Sequence, residues 1–153
     1  MPSKTFNYET RGMNDVWVQH FDTGNIRWNQ RVGSRIGRDT SSMSVAYAGY
    51  YGSQEWAGLT TSYGLKRDSN RWFKMEINVD RLRYLFLDGP GGSTAKLVKE
   101  SRETITHELG HTLCLSDNPN TKEVSIMKYA DTDANRTEVP TAYDIADVER
   151  VYG

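Results

Sequence analysis

The sequence predicts a single mixed α/β (α+β) domain, and three observations carry that reading. Strand-like runs rich in β-branched and aromatic residues occupy the first half of the 153-residue chain, a helical stripe follows a glycine-rich breaker, and a capped amphipathic segment closes the sequence. The length suffices to bury a core without disulfides. Four Trp and nine Tyr beside 13 Gly fit an ordered domain with many turns, since disordered chains are poor in aromatics.

Residues 1–12 (MPSKTFNYETRG) show weak alternation and read as an extended or loosely ordered N-terminal extension, so that the domain proper spans 13–153. DVWVQHF (15–21) alternates Val16 and Val18 with Trp17 and Gln19, which predicts a strand. TGNIRWNQRVG (23–33) predicts a short helix capped by Thr23, with Ile26 and Val32 on its apolar side. SMSVAYAGYY (42–51), WAGLTTSYG (56–64) and WFKMEINV (72–79) predict three strands divided by Gly, Ser, Asp and Asn. In the last of these, Phe73, Met75, Ile77 and Val79 share one face. After DGPGGS (88–93), Ser93 or Thr94 caps a helix that aligns Val98, Ile105 and Leu109. Residues 117–138 read as loop. Behind Pro140, Thr141 followed three places on by Asp144 has the form of a capping box. It opens a closing helix with Ile145, Val148 and Val151 or Tyr152 on its core face and Gly153 at its end.

Nineteen Lys and Arg against 20 Asp and Glu leave a formal charge of −1, so no global attraction to nucleic acid or an anionic membrane arises. Any partner must be recognised by a site. Cys114 is the single cysteine, which excludes an intrachain disulfide and a CxxC site and leaves His, Asp and Glu as the main source of metal ligands. No apolar run approaches a membrane span and no leader-like segment opens the chain. The expectation is a soluble monomer without nucleic-acid or membrane partners.

The stretch HELGHTLCLSD (107–117) carries the chemistry. Residues four apart on a helix share a face, so His107 and His111 present two imidazoles to one ion, about 2.0–2.1 Å from each if it is zinc. The stripe through Ile105 and Leu109 lies roughly 200° away at the 3.6-residue period, which leaves one side for packing and another for metal. Glu108 stands beside a ligand without sharing its direction, as suits a base that takes a proton from an activated water. The pattern HExxH also arises by chance on solvated helices, and a catalytic zinc usually has three protein ligands. Asp117 supplies the third if the chain folds back after Leu113; taken singly, Asp117 before Asn118 and Pro119 is a turn residue. Cys114 is the other candidate, as a thiolate at the helix end. His20 reads as a surface or satisfied core residue and Met127 as core. Asp131 and Asp133 read as solvated loop carboxylates, with calcium binding as the alternative.

HELGHTLCLSD resembles the metzincin zinc signature HExxHxxGxxH/D, in which the chain turns sharply after the second His to deliver a third ligand. The Asp version is the pattern of the snapalysins, small secreted bacterial neutral proteases. SIMKY (125–129) resembles the metzincin Met-turn, with Met127 beneath the zinc ligands, and its Tyr129 is similar to the Tyr that astacins and serralysins hold near the zinc. The tail YDIADVERVYG (143–153) is similar to the closing helix of matrixins. The resemblance implies a twisted, mostly parallel sheet, an active-site helix along the cleft floor, a Met-turn and a C-terminal helix. It further implies zinc held by His107, His111 and Asp117, Glu108 as general base, and Tyr129 as hydrogen-bond donor to the oxyanion. Activity is then that of a secreted zinc endopeptidase whose extended peptide or protein substrate adds to an edge strand at 57–63. The competing class is a non-catalytic peptide- or protein-binding module with a structural zinc. Two departures stand beside the likeness. Cys114 occupies the usual Gly position, where the turn needs strained backbone angles, and one cysteine cannot make the disulfide associated with snapalysins.

Overall fold

The computed structural model describes residues 4–64, 71–118, 121–128 and 137–153. Among them five strands, β1 (Thr5–Arg11), β2 (Arg35–Arg38), β3 (Val45–Gly49), β4 (Gly58–Tyr63) and β5 (Trp72–Asn78), form one sheet in the order β2-β1-β3-β5-β4. The pairs β1–β2, β1–β3 and β3–β5 are parallel, and β4 alone runs antiparallel, against β5. The helices are α1 (Asp15–Val32), α2 (Val79–Arg83), α3 (Thr94–Thr112) and α4 (Ala142–Tyr152), with a π-helical turn at Tyr84–Asp88. None is long and apolar enough to cross a membrane. The mixed, mostly parallel sheet is the one expected.

Two assignments in the first third of the chain are corrected. Residues 5–11 are no appendage: β1 lies inside the sheet between β2 and β3, with Tyr8 fully buried. Its first half pairs with β2 and its second half with β3, so strand pairing on both edges, rather than an alternating apolar face, holds it. The segment 15–21 is helix, not strand. Asn14 caps it by accepting from Trp17 N (3.2 Å), and Gly33 ends it in the left-handed conformation at φ 64°. The buried residues His20, Phe21, Gly24, Asn25, Trp28 and Val32 recur at helical spacing across the whole of α1, a period that a seven-residue window cannot show. Val16, half of the apparent strand alternation, is exposed. Thr23 therefore lies within a helix and caps nothing.

The later elements follow their sequence signals. Phe73, Met75, Ile77 and Val79 are all buried. Ser93 caps α3 through Lys96 N at 3.0 Å, and Thr141 and Asp144 make the reciprocal capping box at the start of α4. The core cluster joins one side of the sheet to α1 and α3, with Trp28, Phe21, Ile77, Ile105 and Leu109 all at 0% exposure. Burial of such side chains stabilises by roughly 1.5–3 kcal/mol each.

Helix α1 fixes α3 along the stretch that leads to His107. A Cβ at Gly24 would lie 2.8 Å from Leu109 Cδ1 and 3.1 Å from Ile105 Cγ2, so only glycine permits this approach. Trp28 Nε1 donates to Thr106 O at 2.7 Å, one residue before His107. On the other side, Asn78 N donates to Ala57 O (2.9 Å) and its Nδ2 to Trp56 O (3.2 Å). These bonds hold the entry to β4, which forms the edge of the sheet among the described residues.

Candidate metal centre

Helix α3 ends in a turn that returns the chain to the helix face it has just left. Cys114 N donates to His111 O (3.0 Å) and Leu115 N to Gly110 O (3.1 Å), the paired bonds of a Schellman motif. Its left-handed position is taken by Cys114 at φ 67°, the one non-glycine residue with positive φ among those described. That conformation costs an L-residue about 1–2 kcal/mol relative to glycine. Of a strained, shifted or altered turn, all three open for a Cys at this position, the structure has the strained one.

The turn brings three side chains to one point. Asp117 Oδ1 lies 2.9 Å from His107 Nε2 and 3.1 Å from His111 Nε2. The opposite ring nitrogens face main-chain carbonyls: His107 Nδ1 is 2.8 Å from Ile126 O, and His111 Nδ1 is 2.9 Å from Leu115 O. A carbonyl oxygen brings no proton, so each Nδ1 must donate, and in the neutral ring each Nε2 then carries a lone pair. Two lone pairs and a carboxylate oxygen aimed at one another need a positive charge among them. A divalent ion such as zinc, which takes imidazole nitrogen and carboxylate oxygen, fits this donor set.

Burial opposes the charge on Asp117, but the hydrogen bonds to His107 and His111 outweigh it and hold the carboxyl well below the usual carboxylate range. Burial would lower His111, yet Asp117 and the charge of Glu108 raise it above the ordinary imidazole value.

Glu108 is buried and its carboxylate comes closer than its position in the helix suggested. Donor atoms of His107, Glu108 and His111 lie within 4.8 Å of one another. The group is held from above by β4. Thr60 Oγ1 donates to Glu108 Oε2 at 2.5 Å, and a Cβ at Gly58 would sit 2.7 Å from Glu108 Cγ and 2.8 Å from Oε1. Neither Thr60 nor Gly58 was marked by the sequence as functional; a small residue on an edge strand facing HExxH was the available signal. A cleft of about 790 Å³ runs between β4 and the His107, His111 and Asp117 group, with Trp72 and Leu85 among its walls.

Behind the helix that carries His107 and His111, Met127 is buried and packs against Gly110, where a Cβ would collide with its Sδ. Asn118 N donates to Met127 O at 2.9 Å, so the segment after Asp117 lies against the segment before residue 129. Tyr129, Asp131 and Asp133 lie outside the described residues. Cys114 turns away from the cluster: its Sγ accepts from Arg71 Nη1 and lies 3.8 Å from Tyr152 OH. His20 is a core residue of α1, its Nδ1 accepting from Arg102 Nε at 3.2 Å, and it takes no part in the cluster.

No family model and no curated protein sequence matches the chain. Solved structures do: archaemetzincin from Methanopyrus kandleri matches with a TM-score of 0.59 over 97% of this chain and 94% of that one, at 13% sequence identity. The two chains share a fold. The chain therefore has the mixed, mostly parallel α/β fold of that protein, with α3 along the cleft floor, β4 as the opposite wall and α4 against the 125–128 turn.

Proposed function

We propose that the protein is a zinc-dependent endopeptidase that hydrolyses peptide bonds in extended polypeptides, with a site of the Asp-ligated, snapalysin-like kind. The observation that carries this reading is the convergence of two imidazole lone pairs on Asp117 Oδ1, in front of a buried Glu108, on the floor of a cleft walled by an edge strand. His107, His111 and Asp117 hold the ion. Zinc bound there supplies Lewis acidity toward the scissile carbonyl and the attacking water.

The chain's own groups do the rest. Glu108 takes the water proton as the oxygen joins the carbonyl carbon, and passes it to the amine as the C–N bond breaks. Thr60 holds Oε2 by hydrogen bond, which leaves Oε1 to carry that proton. The free main-chain edge of β4 aligns an extended peptide above the ligands. Tyr129 is assigned, on the resemblance, the hydrogen bond to the developing oxyanion.

Metal analysis combined with mass-spectrometric mapping of cleavage in a peptide library, with and without chelator, tests the reading. One zinc per chain and chelator-sensitive cuts are expected, with Glu108→Ala retaining zinc and losing the cuts. Zinc uptake without any cleavage would instead make the protein a binding module with a structural metal.

A further inference from the structure

The two imidazoles at the centre are held alike at first sight, each by a carbonyl, but the carbonyls differ in what stands behind them. Asp144 is 1% exposed and Ser125 0% exposed. Ser125 Oγ donates to Asp144 Oδ1 at 2.5 Å and accepts from Met127 N at 3.0 Å. That N–H belongs to the peptide unit whose carbonyl is Ile126 O, the acceptor for His107 Nδ1 at 2.8 Å. An unbroken line of hydrogen bonds thus runs from the carboxylate through a hydroxyl, a peptide unit and an imidazole to Nε2, where the ion is held.

We propose that Asp144 and Ser125 are positioning residues of the metal centre, a relay that fixes the ring of His107 and strengthens its Nε2 as a ligand. This rests on the metal reading above. A carboxylate that only caps a helix belongs at the surface, where its charge stays hydrated; burying one costs several kcal/mol unless strong donors surround it. Asp144 has those donors, Ser125 Oγ, Ile126 N (3.0 Å), Thr141 N (2.8 Å) and Thr141 Oγ1 (3.0 Å), and two of the four belong to the turn beneath the imidazoles. Polarisation along such a line adds from bond to bond, and an anion at its far end raises the basicity of the ring nitrogen that faces the ion. Among the described residues His111 has no such backing: Leu115 O, its acceptor, belongs to the turn that closes α3.

The difference between the two rings supplies the test. The chain contains three histidines, so a histidine-labelled, zinc-loaded sample gives few imidazole resonances, and the Nδ1-bound protons of His107 and His111 can be followed by NMR. In Ser125→Ala and in Asp144→Asn, the His107 proton should move upfield while the His111 proton stays. Zinc affinity by chelator competition should fall about 10- to 100-fold, the usual size for loss of a group behind a ligand. Ser125→Thr, which restores the hydroxyl, should restore both readings. Equal movement of the two protons, or of neither, would overturn the relay while leaving the metal site intact. Failure of the wild-type protein to take up zinc would overturn relay and metal reading together. Zinc uptake with an intact relay but no peptide cleavage would support the relay and remove only the peptidase assignment.

Discussion

The two walls of the cleft hold their functional groups by different means. Strand β4 grips Glu108 with a side chain and with the lack of one, the Thr60 hydroxyl and the missing Cβ of Gly58. The turns below grip the imidazoles with main-chain carbonyls, Leu115 O and Ile126 O. A side-chain grip can be removed an atom at a time. A main-chain grip depends on the path of the backbone and yields only when the turn does. The Glu108 carboxylate is thus open to adjustment by single substitutions in the upper wall, whereas the placement of the two imidazoles is built into the lower one.

The largest effects should separate the walls outright. Glu108→Ala should lower kcat by at least about 10²- to 10⁴-fold, the range for a general base, with zinc content near wild type; loss of zinc would move Glu108 into the ligand set. Asp117→Ala should do the reverse, weakening zinc by more than the roughly 10- to 100-fold typical of groups behind the ligands. Asp117→His should keep measurable affinity, and chelator titration reads both variants. Gly58→Ala sharpens the contrast, since the new Cβ must push aside the Glu108 carboxylate. It should reduce kcat by up to roughly 100-fold with unchanged zinc affinity. If zinc leaves with activity, the walls are coupled and the contrast fails.

Two smaller effects act away from the base. Burial, helped by the charge of Arg102, lowers His20 from 6.5 to about 4. As pH falls the unfolded chain binds this proton first, so the stability associated with neutral His20 is complete above about pH 6.5 and is lost progressively toward pH 4. The loss amounts to at most about 3 kcal/mol. Urea unfolding of wild type and His20→Leu across that window should show the wild type losing more, with cleavage specificity the same in both. Smallest is Cys114→Gly, which relieves the left-handed residue and forfeits contacts to Arg71 and Tyr152. A net gain of about 1 kcal/mol in thermal or urea unfolding is expected, with zinc retained. Zinc release would make the thiol a ligand.

How much of this was legible in the sequence divides along the same line. His107, His111 and Asp117 announced themselves by residue type and spacing, and the structure brings all three together. Thr141 and Asp144 were legible as a cap, because a cap is a local pattern. That Asp144 also reaches Ser125 and Ile126 was not, since it depends on where a distant turn passes. The carbonyls that orient the imidazoles have no signature at all: every residue has one. In the first third, the β-branched Val16 and Val18 advertised a strand over seven residues, while the helical stripe of α1 needs 17–32 in view. Residues 5–11 join the sheet by pairing with segments some thirty places on, which no local window contains.

The exposed edge of β4 has a cost of its own. Main-chain groups at a sheet edge, where β4 lies among the described residues, can receive the edge of another molecule, which is how sheet proteins aggregate. The strand carries no charge, proline or bulge to discourage this; it reads GLTTSY. Its setting is the cleft, with α3 and the turn that closes α3 on the opposite side. The wall that α3 and its closing turn make across the cleft therefore bears on self-association as well, and damage to it would uncover the β4 edge as well as part His107, His111 and Asp117.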